Sequence, residues 1–119
     1  MIISKTPFRM SFFGGGTDFP QWYNNHGGCV LTTTINKYCY INLRKLPPFF
    51  NYQFRLRYFQ TEEKKNIKSI SHNSFRAILN YYKFHKEFVE IVYHADLPAL
   101  SGLGSSSSST VGMINAVNA

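Results

Sequence analysis

The stretch that decides the fold of this chain reads PALSGLGSSS and covers residues 98–107. It lies between a predicted strand at residues 87–93 and a predicted helix that begins at Ser105. The two glycines permit backbone angles and a close approach that a Cβ atom would block. Behind them, the first amide groups of the helix lack partners, and the positive end of its dipole faces the loop. The sequence therefore predicts an anion site suited to phosphate.

Two other structures are compatible with a stretch that is rich in glycine and serine. A Walker A loop requires a lysine after its second glycine, but Ser105 follows Gly104 here. A flexible linker has a similar composition. Apolar segments flank the stretch closely on both sides, however, and a linker would seldom lie inside a compact domain. A phosphate loop is therefore the favoured interpretation.

Outward from the loop, the hydrophobic pattern predicts an α+β domain. Four further segments have β-branched or alternating apolar residues and are predicted strands: residues 1–6, 29–36, 38–43 and 54–59. The second and third of these are expected to pair through a tight turn near Asn36 and Lys37. Residues 74–83 have helical spacing and are expected to be capped by Asn73. Three shorter features complete the pattern: a glycine loop at 14–16, a helical turn at 20–25 and a polar excursion at 62–68.

Composition and charge narrow the class of protein. The chain has 119 residues, is 44% hydrophobic and carries a formal charge of +7. Its basic residues are spread along the chain rather than packed into a dense tract, so an anionic small molecule is as consistent with them as a nucleic acid. No segment resembles a signal peptide or a membrane span, which predicts a cytoplasmic protein. Cys29 and Cys39 form no metal-binding pattern and are expected to be buried.

Three motifs of this chain resemble one superfamily of small-molecule kinases. Residues 98–106 fit P-x-x-x-G-L-G-S-S, which resembles the signature of the galactokinase, homoserine kinase, mevalonate kinase and phosphomevalonate kinase (GHMP) superfamily. Residues 5–18, KTPFRMSFFGGGTD, resemble the N-terminal motif of its sugar-kinase branch. Residues 91–98, IVYHADLP, are similar to the bacterial D-glycero-D-manno-heptose 7-phosphate kinases and the fucokinase-like domains.

The resemblance implies an α+β fold in which a mixed sheet, like that of a ribosomal protein domain, carries helices on one face. Residues 1–119 would form the N-terminal ATP-binding domain of such a kinase. The last predicted helix runs to Ala119 without a Gly or Pro stop signal. We therefore expect a truncated or split product that lacks the C-terminal domain of the family. A separately encoded C-terminal portion would then be a partner, and the isolated chain should have weak or no kinase activity.

The resemblance also implies a role for each motif. The loop residues would wrap the phosphates of ATP: Gly102, Leu103, Gly104, Ser105, Ser106 and Ser107. Ser105 would also face Mg²⁺, with Ser106 as the alternative. Arg9 would approach the transferred phosphoryl group as a catalytic residue, or would instead pair with Asp18. Asp18 would accept hydrogen bonds from sugar hydroxyls or serve only as a turn residue. The other expected substrate-binding residues precede it: Gly14, Gly15, Gly16 and Thr17.

The activity that the resemblance implies is ATP-dependent phosphoryl transfer to a sugar or sugar phosphate, with a heptose 7-phosphate as the expected substrate. Galactokinases carry an acidic residue and a histidine where Gly15 and Gly16 stand, which argues against galactose. A phosphorylated acceptor needs a second cationic site, and charge alone offers four candidates: Arg44, Lys45, Arg55 and Arg57. The alternatives are a non-catalytic nucleotide-binding remnant and, less favoured, an RNA-binding module. Neither a nucleic acid nor a membrane is an expected partner.

Overall fold

The computed structural model describes residues 1–99 and 101–119, and within them it contains five strands and three α-helices. The strands are β1 (Ile2–Phe13), β2 (Leu31–Lys45), β3 (Phe54–Arg57), β4 (Thr61–Lys64) and β5 (Val89–Ala95). The helices are α1 (Pro20–His26), α2 (Asn73–Tyr81) and α3 (Ser105–Asn118). Single 3-10 turns lie at Ile67–Ser69 and Phe84–Lys86. Leu100, which belongs to the predicted phosphate loop, lies outside the described residues.

The strands form one mixed sheet in the order β1-β2-β5-β3-β4. β3 and β5 run parallel, and the other neighbouring pairs are antiparallel. Because successive side chains of a strand point to opposite faces, alternate residues of the central strands meet α2 and α3 on one face. The core there includes the following fully buried side chains: Leu56, Leu79, Ile91 and Met113. The predicted α+β fold, with a mixed sheet and α2 and α3 on one face, is confirmed.

The first two strands extend beyond the other three as a two-stranded arm. β5 pairs with β2 only from Cys39 to Lys45, whereas β1 continues to pair with β2 as far as Leu31. The helix α1 lies between β1 and β2 in the chain and contains no buried residue. The molecule is correspondingly elongated, with extents of 53 × 31 × 25 Å.

The prediction of two strands and a tight turn at residues 29–43 is wrong. The segment forms the single strand β2, whose antiparallel partner is β1. The register shifts between the pairs Pro7↔Tyr38 and Arg9↔Thr34, so the predicted turn residues lie in an irregularity of the ladder. The local alternation of side chains along the sequence is the same for one long strand and for two short ones. The length of β1, which runs past Pro7 along the edge of the sheet, determines the outcome.

Two further predictions need correction beside α2. The polar excursion at residues 62–68 contains the edge strand β4, in which Glu62 is buried while its neighbours are exposed or half-buried. The N-cap of α2 is His72 rather than Asn73, and its Nδ1 accepts a hydrogen bond from the Phe75 amide at 3.4 Å. Glu62 can be buried because its carboxylate accepts hydrogen bonds from Tyr58 and Ser71, and His72 replaces Asn73 as the cap because its ring nitrogen accepts the Phe75 amide.

Candidate functional site

The loop between β5 and α3 is tied to both strands of the arm. Asp96, at the start of the loop, exchanges hydrogen bonds with the backbone of Tyr38 at 2.8 and 2.9 Å. Further along, the Arg9 amide donates to the Leu103 carbonyl at 3.2 Å. The Ser108 hydroxyl then donates to the Pro7 carbonyl at 2.9 Å. These bonds hold the loop and the first turn of α3 against β1.

Two glycines of the loop have backbone angles that favour glycine. The φ angles of Gly102 and Gly104 are +74° and +75°, in the left-handed region. A Cβ atom at Gly104 would lie 2.9 Å from Cγ and 3.3 Å from Nε of Arg9. The Arg9 side chain therefore crosses the loop at the point where α3 begins, and a side chain at residue 104 would compete with it for space.

The first turn of α3 has unpaired donors. The Ser108 amide makes the first intrahelical bond, to the Gly104 carbonyl at 2.9 Å, and no side chain caps the helix. The amides of Ser105, Ser106 and Ser107 therefore have no intrahelical acceptor. The Ser107 hydroxyl donates to the Gly104 carbonyl, whereas the hydroxyls of Ser105 and Ser106 donate to no other residue that the structure describes. Amides and hydroxyls together suit a phosphate group.

A cavity of about 430 Å³ adjoins the start of α3. Ser105 and Ser106 line one side of it. The remaining wall is mainly aromatic and comes from three other elements: Tyr58 and Phe59 after β3, His72 and Phe75 at the start of α2, and Tyr93 in β5. This group was not predicted from the sequence. No local pattern brings these positions together.

Burial and hydrogen bonding shift several pKa values in the wall of this cavity. Burial is the main factor that raises the pKa of Tyr58 and of Tyr93. Burial also lowers the pKa of His72 below its ordinary value of 6.5, although the nearby Glu62 carboxylate opposes this shift. For Glu62 itself, burial acts to raise the pKa, but hydrogen bonds from Tyr58 and Ser71 outweigh it and lower the pKa. A neutral His72 thus faces an ionised carboxylate.

The stability of the protein should fall as the pH drops from 7 to 5, because protonation of His72 removes the acceptor that caps α2. The folded-state pKa of His72 is below the unfolded value of about 6.5, so the contribution is complete above that value and is lost as pH falls through the folded pKa. Urea denaturation of the wild type and of His72→Asn at pH 7 and pH 5 measures how the free energy of unfolding depends on pH. Asparagine can cap a helix without titrating, so the variant should show a smaller pH dependence. Equal dependence in both proteins would exclude His72 as its source.

The glycine-rich segment after β1 closes back on the start of β2. A Cβ atom on Gly14 would lie 1.9 Å from the Cys29 carbonyl oxygen. The Thr17 hydroxyl hydrogen-bonds to the Gly14 carbonyl at 2.7 Å and to the Cys29 carbonyl at 3.1 Å. Asp18 accepts a hydrogen bond from the Gly16 amide at 3.1 Å, as expected for a turn residue, and it lines a second cavity of about 480 Å³. Gly15 has open space around it.

The two predicted groups of site residues occupy different parts of the arm. Arg9 lies at the phosphate loop, whereas Asp18 lies beyond the end of β1 at Phe13. Phe13 is four steps along the strand from Arg9, which corresponds to about 13 Å. No ion pair joins Arg9 to Asp18 in the residues that the structure describes. The exposed Arg9 guanidinium is instead directed along Gly104.

The candidates for a second cationic site pair with carboxylates on the open face of the sheet. Glu90, with 4% of its side chain exposed, forms ion pairs with Arg44, Arg55 and Arg57. Arg55 also binds Glu63 at 3.0 Å, and Lys45 pairs with a carboxylate at 3.4 Å. Glu90 lies near the start of β5, whereas the phosphate loop follows its end. The three arginines therefore neutralise a buried carboxylate away from the loop.

Three other features bear on the kind of site. Within residues 1–99 and 101–119, no group of three or more His, Cys, Asp or Glu side chains is arranged to hold a metal ion. No helix in that part of the chain is long and apolar enough to cross a membrane. Both cysteines are free thiols; Cys39 is buried as expected, but Cys29 is exposed, which corrects the prediction.

Comparison with known proteins gives matches along the whole chain. Residues 69–119 match the family model described as the GHMP kinases N terminal domain. The chain is 32% identical over 123 residues to the D-glycero-alpha-D-manno-heptose 7-phosphate kinase of Campylobacter jejuni, covering 97% of this chain and 36% of that protein. The chain thus spans little more than a third of the length of this curated relative.

Solved structures give a consistent picture of the fold. A D-glycero-D-manno-heptose 1-phosphate kinase from Bacteroides thetaiotaomicron superimposes with a TM-score of 0.78 at 25% identity, over 98% of this chain and 40% of that one. The mevalonate kinase of Methanococcus jannaschii superimposes with a TM-score of 0.71 at 22% identity, over 98% of this chain and 39% of that one. The second likeness bears on the fold alone.

Proposed function

Because this chain carries the N-terminal domain of the GHMP kinases, as its motifs predicted, we propose that residues 1–119 bind ATP at the start of α3. The proposed activity of the protein of which this domain is part is phosphoryl transfer from ATP to a sugar phosphate. The observation that carries the proposal is the first turn of α3. There, the amides have no intrahelical acceptors, and the Ser105 and Ser106 hydroxyls and the left-handed glycines lie beside them. These groups adjoin a cavity large enough for part of a nucleotide.

The residues at the start of α3 fit a polyphosphate. The amides of Ser105, Ser106 and Ser107 would donate to phosphate oxygens, and the absence of a Cβ on Gly104 leaves space for the Arg9 side chain beside them. The Ser105 hydroxyl would serve as a ligand of Mg²⁺, with Ser106 as the alternative. When bound, Mg-ATP supplies the phosphoryl group that is transferred. The Arg9 guanidinium would stabilise negative charge on that group and so act as a catalytic residue.

The aromatic cavity is the proposed position of the nucleotide base. It shares Ser105 and Ser106 with the phosphate site, so a single ligand could occupy both. Its largely apolar wall suits a planar heteroaromatic ring. Such a ring would stack on Tyr58, Phe59 and His72 without requiring a particular arrangement of hydrogen-bond donors. The cavity thus supports a nucleoside triphosphate rather than a free inorganic anion.

A heptose phosphate is the proposed acceptor. The names of two relatives support this class: the Campylobacter protein is a heptose 7-phosphate kinase, and the Bacteroides structure is a heptose 1-phosphate kinase. In this chain, the proposed sugar site is the cavity lined by Thr17 and Asp18, together with the glycine turn that precedes them, Gly14, Gly15 and Gly16. One carboxylate oxygen of Asp18 accepts the Gly16 amide, and the other would accept sugar hydroxyls.

Addition of Mg-ATP should raise the thermal unfolding midpoint of the purified chain. At a ligand concentration of 100 times Kd, the gain is about 2.7 kcal/mol. Ser105→Ala should reduce this gain when Mg²⁺ is present but have little effect on the response to ATP in EDTA, because it removes a metal ligand and keeps the amide. Ser11→Ala, an exposed serine in β1, is the matched control. Absence of any nucleotide-dependent shift in the wild type would refute the proposed function.

A further inference from the structure

One buried carboxylate joins two walls of the aromatic cavity. Glu62 in β4 is only 6% exposed. Its Oε1 accepts a hydrogen bond from the Tyr58 hydroxyl, and its Oε2 accepts one from the Ser71 amide at 2.8 Å. Tyr58 belongs to the wall that follows β3, and Ser71 immediately precedes the cap of α2. We call this arrangement of Glu62, Tyr58 and Ser71 the carboxylate clamp.

The rings held by the clamp pack against one another. The His72 ring stacks on Phe75 with a centroid distance of 4.1 Å and meets the edge of Tyr58 at 5.0 Å. Phe59 lies beside Tyr58 at 4.7 Å and is 88% exposed. Tyr58 and Phe59 form the part of the cavity wall that the β3–β4 hairpin contributes (the hairpin wall), and His72 and Phe75 form the part that the start of α2 contributes (the helix wall). The separation between these two walls therefore depends on a few aromatic contacts and on the clamp. The single turn that joins β3 to β4 has no other described side-chain hydrogen bond to the α2 side.

We propose that Glu62 is a positioning residue for the nucleotide base, because it holds the hairpin wall and the helix wall at the separation that a planar ring requires. The inference rests on the proposed function, since it concerns the cavity next to the phosphate site. Glu62 itself does not line the cavity, so it acts through Tyr58 and His72. Its neighbour Glu63 lies on the opposite face of the sheet, where it binds Arg55.

A carboxylate is the group that this position needs. Both donors that approach Glu62 point at oxygen atoms, and an ionised carboxylate offers two acceptors and no donor. The lowered pKa of Glu62 keeps it ionised at neutral pH. A glutamine would keep both bonds, because its carbonyl would accept from the Ser71 amide and its NH₂ group would donate to the Tyr58 oxygen. Glu62→Ala instead removes both acceptors, and Tyr58→Phe removes one donor without changing the charge.

The experiment compares two ligands that share the phosphate site. Mg-ATP occupies both the phosphate site and the cavity, whereas Mg-tripolyphosphate occupies only the phosphate site. Calorimetry with the full chain should show that Glu62→Ala and Tyr58→Phe each weaken Mg-ATP binding about tenfold and leave tripolyphosphate binding within about twofold. The matched control is Glu63→Ala, which should change neither affinity. A urea denaturation curve for each variant verifies that it is folded.

Each outcome decides a different point. Equal weakening of both ligands would mean that Glu62 only maintains the fold, and unchanged affinities would mean that the clamp does not act on the base; either result overturns the inference. If wild type binds tripolyphosphate as tightly as Mg-ATP, the cavity does not hold the base, and the inference fails while the phosphate site stands. If wild type binds neither ligand, both the inference and the proposed function fail.

Discussion

Gly14→Ala should destabilise the arm more than any other single-methyl addition in the glycine-rich segment. The new Cβ would lie 1.9 Å from the Cys29 carbonyl oxygen, a backbone atom that cannot rotate away, and the φ angle of +84° is itself unfavourable for alanine. We expect a loss of about 3 kcal/mol in the free energy of unfolding. Because Thr17 and Asp18 follow directly, binding of a heptose phosphate should be lost as well, whereas Mg-ATP binding at α3 should remain.

Gly15→Ala is the matched control for this prediction. It adds the same methyl group one residue away, where no atom lies within 4 Å and φ is not in the left-handed region. Urea denaturation measures the stability of both variants, and amide hydrogen exchange locates the change in the arm. Equal stabilities for the two variants would show that the close approach of Gly14 to Cys29 does not contribute to the fold.

Gly104→Ala should weaken Mg-ATP binding by tenfold or more. The left-handed φ of +75° costs alanine about 1–2 kcal/mol, and the Cβ would lie 2.9 Å from Cγ of Arg9. Arg9 would have to move away from the start of α3, or the loop would have to shift and displace the Ser105 and Ser106 amides. Either change removes positive groups from the proposed phosphate site, and tenfold corresponds to about 1.4 kcal/mol.

The control for Gly104 must separate backbone strain from the contact with Arg9. Gly27→Ala tests backbone strain away from Arg9, because Gly27 at the end of α1 also has a positive φ of +70°, and a methyl group added there would have no atom within 4 Å. Its ψ of 166° lies in a region that is essentially restricted to glycine, so the variant should lower stability by about 1–3 kcal/mol and leave Mg-ATP affinity unchanged. Calorimetric titration of both variants provides the comparison. If Gly104→Ala binds Mg-ATP like the wild type, the loop does not require a glycine there.

The local part of the fold could be predicted from the sequence. Ser105 as the first residue of α3, a helical turn that begins at Pro20, and the apolar stripe of α2 all follow from patterns within a few residues. The continuity of β2 could not be predicted in this way, because it depends on the length of β1, which lies far away in the sequence. The strand β4 was missed for a related reason: Glu62 is polar, yet its partners Tyr58 and Ser71 allow it to be buried.

The candidate site also has one part that the sequence predicted and another part that it did not. The residues of the phosphate loop and of the glycine-rich segment form contiguous motifs, so their grouping was visible in the sequence. Their roles remain predictions, together with the metal ligand Ser105. The resemblance implied only that Arg9 approaches the transferred phosphoryl group. The position of its side chain beside Gly104 depends on how β1 pairs and how α3 packs. The aromatic cavity has no sequence motif at all.

The amino-acid sequence by itself determined the glycine-rich loop before α3, the helix behind it and the apolar periodicity that builds an α+β domain, because each depends on backbone preferences and side-chain spacing over a few residues. The tertiary structure decided the register of the arm, the cavity wall and the carboxylate clamp. These features join residues of different secondary-structure elements, and their energies come from burial and hydrogen bonds that exist only once the sheet and helices have packed together.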